Sequence, residues 1–198
     1  GALMQMDFQR LGNHRLIAGV QYLYDQIDQT RHVDTVSWTP PIAASGVEVI
    51  HDKADTETWA LFLLDQWYIN DQFSLTAGLR QYYVEGELDE TDRESLEPGK
   101  LDSDDKLIGS LGLVCAASET VRLRANVSQG YVYPSLTQLA TGAYAGSSYV
   151  NPDASLDAET SLNYELGLRL QSRYLTLDTA AFYTRSDDYI NHLPCTPG

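Results

Sequence analysis

Between Glu159 and Arg185 apolar residues recur at every second position. Leu162, Tyr164, Leu166, Leu168 and Leu170 form one series; past Ser172 and Arg173, Leu175, Leu177, Thr179, Ala181 and Tyr183 form another. Asn163, Glu165, Arg169, Thr176, Asp178 and Thr184 stand between them. A period of two predicts β-strands with one apolar and one polar face. The same alternation runs through Met4, Met6 and Phe8, and through Leu16, Ala18, Val20, Tyr22 and Tyr24. It returns in Phe73–Leu79, in Leu107–Cys115 and in Val121–Val127. Trp59, Leu61, Leu63 and Trp67 are also in step, but a second apolar face beside them leaves the facing of that strand open. The chain thus holds about eight such segments.

The connections alternate as well. Those at 11–14, 69–72, 117–120 and 171–174 are short enough for tight hairpin turns. Those at about 25–55, 86–105 and 130–158, and one starting near Ser186, are long and polar, acidic or rich in Gly, Pro and Tyr. Long connections inside compact domains are uncommon and usually functional. Here they come at every second connection, which places them all at one end of the sheet. A membrane barrel has this rhythm, with apolar side chains on lipid and polar ones on the lumen. The expected fold is therefore all-β, an antiparallel up-and-down transmembrane β-barrel segment. Arg80, Arg122, Arg124, Glu165, Arg169 and Asp178 are placed on its lumen face, since charges on lipid are costly. Tyr22, Tyr24, Trp67, Tyr68, Tyr82, Tyr83 and Tyr183 are placed in the interfacial girdles. A soluble lipocalin-like barrel or a sandwich is the rival; its apolar face would be a core.

Composition narrows this further. A net charge of −15 leaves too few Lys and Arg for phosphate tracking, so nucleic acid is not expected as a partner. The 13 Tyr suit surfaces with one apolar and one wet side. No apolar run reaches the roughly 18–20 residues of a spanning helix. No signal peptide opens the chain, so a soluble protein, a mature exported protein or an internal fragment is expected.

Residues 126–169, "NVSQGYVYPSLTQLATGAYAGSSYVNPDASLDAETSLNYELGLR", resemble the signature of TonB-dependent outer-membrane receptors. "YVYPSLTQL" matches that family's aromatic-x-x-Pro-Ser/Thr-Leu loop, and "NPDASLDAETSLNYELGLR" its return through Asn-Pro into a strand. "DQWYINDQFSLTAGLRQY" (65–82) looks like a hairpin of the same family. The resemblance implies a barrel of about 22 strands, plugged by an N-terminal domain. It implies import of a ferric siderophore or haem, coupled to the TonB complex through that plug. It implies the outer membrane of a Gram-negative bacterium, with lipopolysaccharide around the barrel. Residues 1–198 then read as a partial barrel, without plug or C-terminal strands, open or incomplete by itself.

No Ser-His-Asp or Cys-His constellation is visible, so no enzymatic chemistry is expected. No metal site or intrinsic cofactor is expected either; no C-x-x-C spacing exists. His14 reads as a solvated turn residue. His32, His51 and His192 fall in long loops and could ligate haem iron, but 134–151 holds no His. Tyr131, Tyr133, Tyr144 and Tyr149 stand on a Gly/Ser frame suited to an aromatic catecholate or a porphyrin; girdle or loop packing is the plainer reading. Trp38, beside Pro40 and Pro41, has the same standing. With His51 these are the candidate ligand-binding residues. The acidic runs 51–57 and 85–105 read as a solvated face, with divalent cations or lipopolysaccharide as the functional alternative. Cys115 and Cys195 are expected roughly 25 Å apart, beyond disulfide reach. Cys195 is expected to pair with a cysteine beyond Gly198. The functional expectation is a receptor and active transporter segment for an iron chelate; a passive porin-like channel or a soluble β-barrel binding module are its rivals.

Overall fold

The computed structural model describes residues 1–36, 45–94, 96–101, 103–145 and 148–190. Eight long strands form one antiparallel sheet in chain order: β1 (Ala2–Leu11), β2 (His14–Val36), β3 (Ser45–Tyr68), β4 (Phe73–Thr91), β6 (Asp104–Ala116), β7 (Val121–Val132), β10 (Glu159–Gln171) and β11 (Thr176–Asp187). A two-residue strand, β5 (Gly99–Lys100), adds to β4, and β8 (Ala143–Ala145) pairs with β9 (Ser148–Val150) in a separate hairpin. The sheet is open, with β1 and β11 at its edges.

The short turns are made by their own side chains. Gly12 takes φ 66°, a left-handed conformation that costs glycine little. Asn70 Oδ1 accepts from the N–H groups of Gln72 (2.9 Å) and Phe73 (2.8 Å). Ser118 Oγ accepts from Val121 N–H (3.1 Å), and Ser172 Oγ from Leu175 N–H (3.1 Å). His14 is more than a solvated turn residue. Its Nδ1 lies 2.8 Å from Asp65, and its ring stacks on Trp67 at 5.5 Å.

Register gathers the apolar positions on one face. Val20 opposes Leu61, Tyr22 opposes Trp59, Leu63 opposes Leu79, Leu111 opposes Val127, and Ala125 opposes Leu166, which opposes Ala181. That settles the facing of β3. The face is not a core: Leu61, Leu79, Leu107 and Leu166 are all more than half exposed. A band of this extent is a membrane or partner surface, and the soluble barrel with a buried apolar face does not fit it. Tyr82 and Tyr68 are corrections to the expected girdle. Each directly follows a residue of it in the chain (Tyr68 after Trp67) or precedes one (Tyr82 before Tyr83), so pleating puts it on the opposite face.

The strands also run further than expected. β2, β3 and β4 reach 23, 24 and 19 residues, so much of the expected 25–55 loop is strand. Beyond the ring formed by Tyr22, Trp59 and Tyr83, the polarity of the two faces inverts. Glu57, Asp55, Glu85 and Glu87 continue the outer face, while Ala54, Val84 and Leu88 on the inner face are buried. Below that level the outward side chains are apolar; above it they are acidic, and the buried apolar residues lie on the other face.

Candidate functional site

The loop end of the inner face is filled by the segment that follows β7. Tyr133 and Pro134 lead into a short π-helical turn, Thr137–Thr141. Gln138 Oε1 accepts from Ser135 N–H (2.8 Å), and Gly142 N–H reaches Thr137 O (2.7 Å) to close the turn. Gly142 adopts φ 68°, and a Cβ there would run into the Tyr149 ring and the Val150 carbonyl. The turn thereby presents Leu139 and Ala140 to Ala54, Leu88 and Leu101, with Ile27, Tyr133, Leu136 and Leu156 around them. This small core is a packed layer over the strand ends.

A buried ion pair pins the layer. Asp52 is 1% exposed and Arg93 7%, with Nη2 2.8 Å from the carboxylate. Thr91 Oγ1 donates to Asp52 (2.7 Å), and Arg93 Nε donates to it at 2.9 Å. Arg93 Nη2 also donates to Thr141 O (2.5 Å) and Tyr149 Oη (2.7 Å). The Arg31 guanidinium lies 3.9 Å from the centre of the Tyr149 ring. Burial pulls the Arg93 pKa down, but the bonds to Asp52 and Tyr149 outweigh it and hold it above its usual value.

The candidate ligand residues do not converge on one point. Tyr149 sits between Arg31 and Arg93, and Tyr133 borders the small core. Tyr131 packs on Tyr82 at 5.0 Å. Tyr144 opposes Tyr149 in the β8–β9 hairpin. His51 lies on the outer side, 3.1 Å from Thr30 Oγ1 and 3.8 Å from Asp28 and Glu90. Trp38, His192 and Cys195 lie outside the described residues; among the described residues Cys115 is free. Among the described residues no His/Cys/Asp/Glu group of three or more could hold a metal ion.

Register puts Arg80, Arg122, Arg124, Glu165, Arg169 and Asp178 on one face of the sheet, opposite the apolar band. Arg124 crosses Gly167 and donates to Glu165 (3.0 Å) and Asp178 (2.8 Å); a Cβ on Gly167 would collide with it. Arg80 donates to Gln21 and lies 5.4 Å from the Phe62 ring and 4.8 Å from the Tyr82 ring. Arg122 opposes Arg169, and Arg169 opposes Asp178. Asp52, Arg93 and Arg31, which organise the loop layer, were not singled out in the sequence. The available signal was Asp52 in step with Ile50 and Ala54, an acid on an apolar face.

The outer side carries its own electrostatic load. Burial pushes the Asp55 carboxyl up, and Asp89, Glu87 and Glu57 add to it. A carboxyl whose folded pKa is raised costs stability wherever the unfolded chain ionises more readily. That cost is present at neutral pH and fades as pH falls through the raised pKa. Asp55→Asn is therefore expected to stabilise the β3–β4 hairpin at pH about 7 and to give no gain below the ordinary carboxylate range, about pH 4. Thermal unfolding of the protein at the two pH values checks this; an equal gain at both would contradict it.

The sequence matches the family described as TonB dependent receptor-like, β-barrel over residues 2–198. The chain belongs to the TonB-dependent receptor family. Members of this family are outer-membrane β-barrels of Gram-negative bacteria that act as receptors and transporters. The chain is 26% identical over 166 residues to the rhizobactin receptor of Rhizobium meliloti, covering 72% of this chain and 22% of that protein. It is 28% identical over 136 residues to the pesticin receptor of Yersinia pestis, covering 67% and 19%. The chain thus spans about a fifth of the length of these relatives. The ferric yersiniabactin uptake receptor of Yersinia pestis superimposes with a TM-score of 0.64 at 22% identity, covering 94% of this chain and 28% of that one. A copper transporter gives a TM-score of 0.70 at 12% identity, with 91% and 28% coverage. At these identities the likeness shows the fold.

Proposed function

We propose that this chain is a wall segment of a TonB-dependent receptor that imports an iron chelate across the outer membrane. Other parts of the receptor supply the plug domain and the remaining strands; relatives several times longer support this. The observation that carries the reading is the inversion of the two faces. An apolar outer band ends at Tyr22, Trp59 and Tyr83, and beyond it stands a packed layer of loops. A passive pore needs no such layer over its lumen wall, whereas a receptor needs a preorganised surface for its ligand. A ferric siderophore is favoured over haem, because residues 134–151 offer no histidine and His51 points away from the inner face. Lipopolysaccharide is the neighbour of the outer strip, and the TonB complex acts through the plug.

The test is uptake of radioactive iron, as siderophore complexes and as haem, by cells whose only receptor is the full-length protein. Entry of a ferric siderophore that stops when TonB is deleted is expected. Entry that continues without TonB would make the protein a passive channel.

A further inference from the structure

Above Ala60 the inner face of β2 and β3 forms a cavity of about 380 Å³ with the start of the loop layer. Asp25, Thr56 and Thr58 line it from the strands, and Tyr133, Ser135 and Thr137 from the loop. Ile27 and Leu136 supply apolar wall. Register puts Asp25 opposite Thr56 on the same face as Phe62 and Arg80, so the cavity opens on the lumen side.

Its charge is unbalanced. Asp52 has Arg93, Asp89 has Lys53, and Glu165 and Asp178 share Arg124. Asp25 is exposed and has no ion pair or hydrogen bond among the described residues. Of the cations on its face, Arg31 lies on the Tyr149 ring and Arg80 is held by Gln21 between Phe62 and Tyr82, and neither is paired with Asp25. The cavity therefore offers one carboxylate ringed by hydroxyls. Carboxylates accept only, and threonine and serine hydroxyls turn to accept as well. Such a site suits a group that brings positive charge and several N–H donors.

We propose that this cavity binds a cationic, amine-bearing arm of the imported chelate, with the ammonium on Asp25. The proposal rests on the receptor reading above and gives it a ligand class. The apolar wall takes the methylene stem of the arm, and the hydroxyls of Thr56 and Thr58 take the ammonium protons that Asp25 does not. The acidic balance of this segment, −15 overall, favours a positively charged ligand.

The test uses the full-length receptor in cells that lack other receptors for the probes. Three probes are compared: a ferric tris-hydroxamate with a free terminal ammonium, its N-acetylated neutral form, and a ferric tris-catecholate trianion. The ammonium form is expected to half-saturate uptake at about tenfold lower concentration than the acetylated form, the worth of one charge-assisted hydrogen bond in a wet site. Asp25→Asn should abolish that preference at unchanged receptor level, and Asp25→Glu should keep it. Equal uptake of the ammonium and acetylated forms, or a preference that survives Asp25→Asn, would overturn the proposal. Uptake of the trianion alone would overturn it and leave the receptor reading standing. No uptake of any probe, with TonB intact and the receptor present, would bring down both.

Discussion

Arg93→Ala is expected to release the loop layer while leaving the sheet intact. The change strands Asp52, 1% exposed, without its cation, and removes the donor to Thr141 O and Tyr149 Oη. Breaking a buried pair by removing one partner costs about 3–5 kcal/mol. That exceeds what the small core of Leu139, Ala140, Leu88 and Leu101 can absorb. The strands below are held by continuous ladders from Trp59 to Trp67 and have no share in the pair. The loss is therefore local. Hydrogen exchange at Leu139–Gly142 should quicken by two or more orders of magnitude, while amides of Leu61–Leu64 keep their protection. Protection of Leu139–Gly142 at the wild-type level would show that the pair holds nothing. The double change Asp52→Leu with Arg93→Met should restore part of the protection, because apolar groups of similar volume can replace a buried pair. A chelate that depends on the layer should bind the single variant more weakly and the double variant better than the single.

Leu166→Arg tests the outer face. Leu166 is 67% exposed, and its cross-strand neighbours are Ala125 and Ala181. An arginine at the midplane of a barrel's lipid face costs about 2–4 kcal/mol. Asn126→Arg, on the inner face opposite Glu165, should cost far less, since the new cation meets a carboxylate. Equilibrium unfolding of the full-length receptor in lipid vesicles compares the two. Equal costs would mean that the faces are assigned the wrong way round.

These two variants separate what could be read in advance from what could not. Leu166 and Glu165 were legible as opposite faces because pleating is local: the side-chain period is two whatever the strand pairs with. The turns were legible for a like reason. Gly12, Asn70, Ser118 and Ser172 act on backbone groups within three residues of themselves. Arg93 and Asp52 were not legible, because they are 41 residues apart and nothing near either one marks the other. Tyr149 was singled out as a ligand group on its chemistry. Its place between Arg31 and Arg93 depends on how the loop folds back over β3.

The strand ends show the same division. Val84, Gly86 and Leu88 keep the period of β4 but sit on the face that carries Arg80 and Thr76 lower down. Periodicity continues there, yet from Gly86 on the acidic residues read as part of the long connection 86–105. The outward side chains change from apolar to acidic along the strand, and the buried apolar residues change face with them.

The sequence by itself determined the long β-strands, the short turns, the apolar face of the strands other than β3 and the family. Each of these is written in spacing or in motifs that span a few tens of residues. The tertiary structure decided how far β2, β3 and β4 extend, what the long connections do, and which charges remain unspent. Those depend on contacts between distant segments: Leu139 on Leu88, Arg93 on Asp52, Arg31 on Tyr149. Burial and ion pairing are properties of such meetings, and no local pattern encodes them.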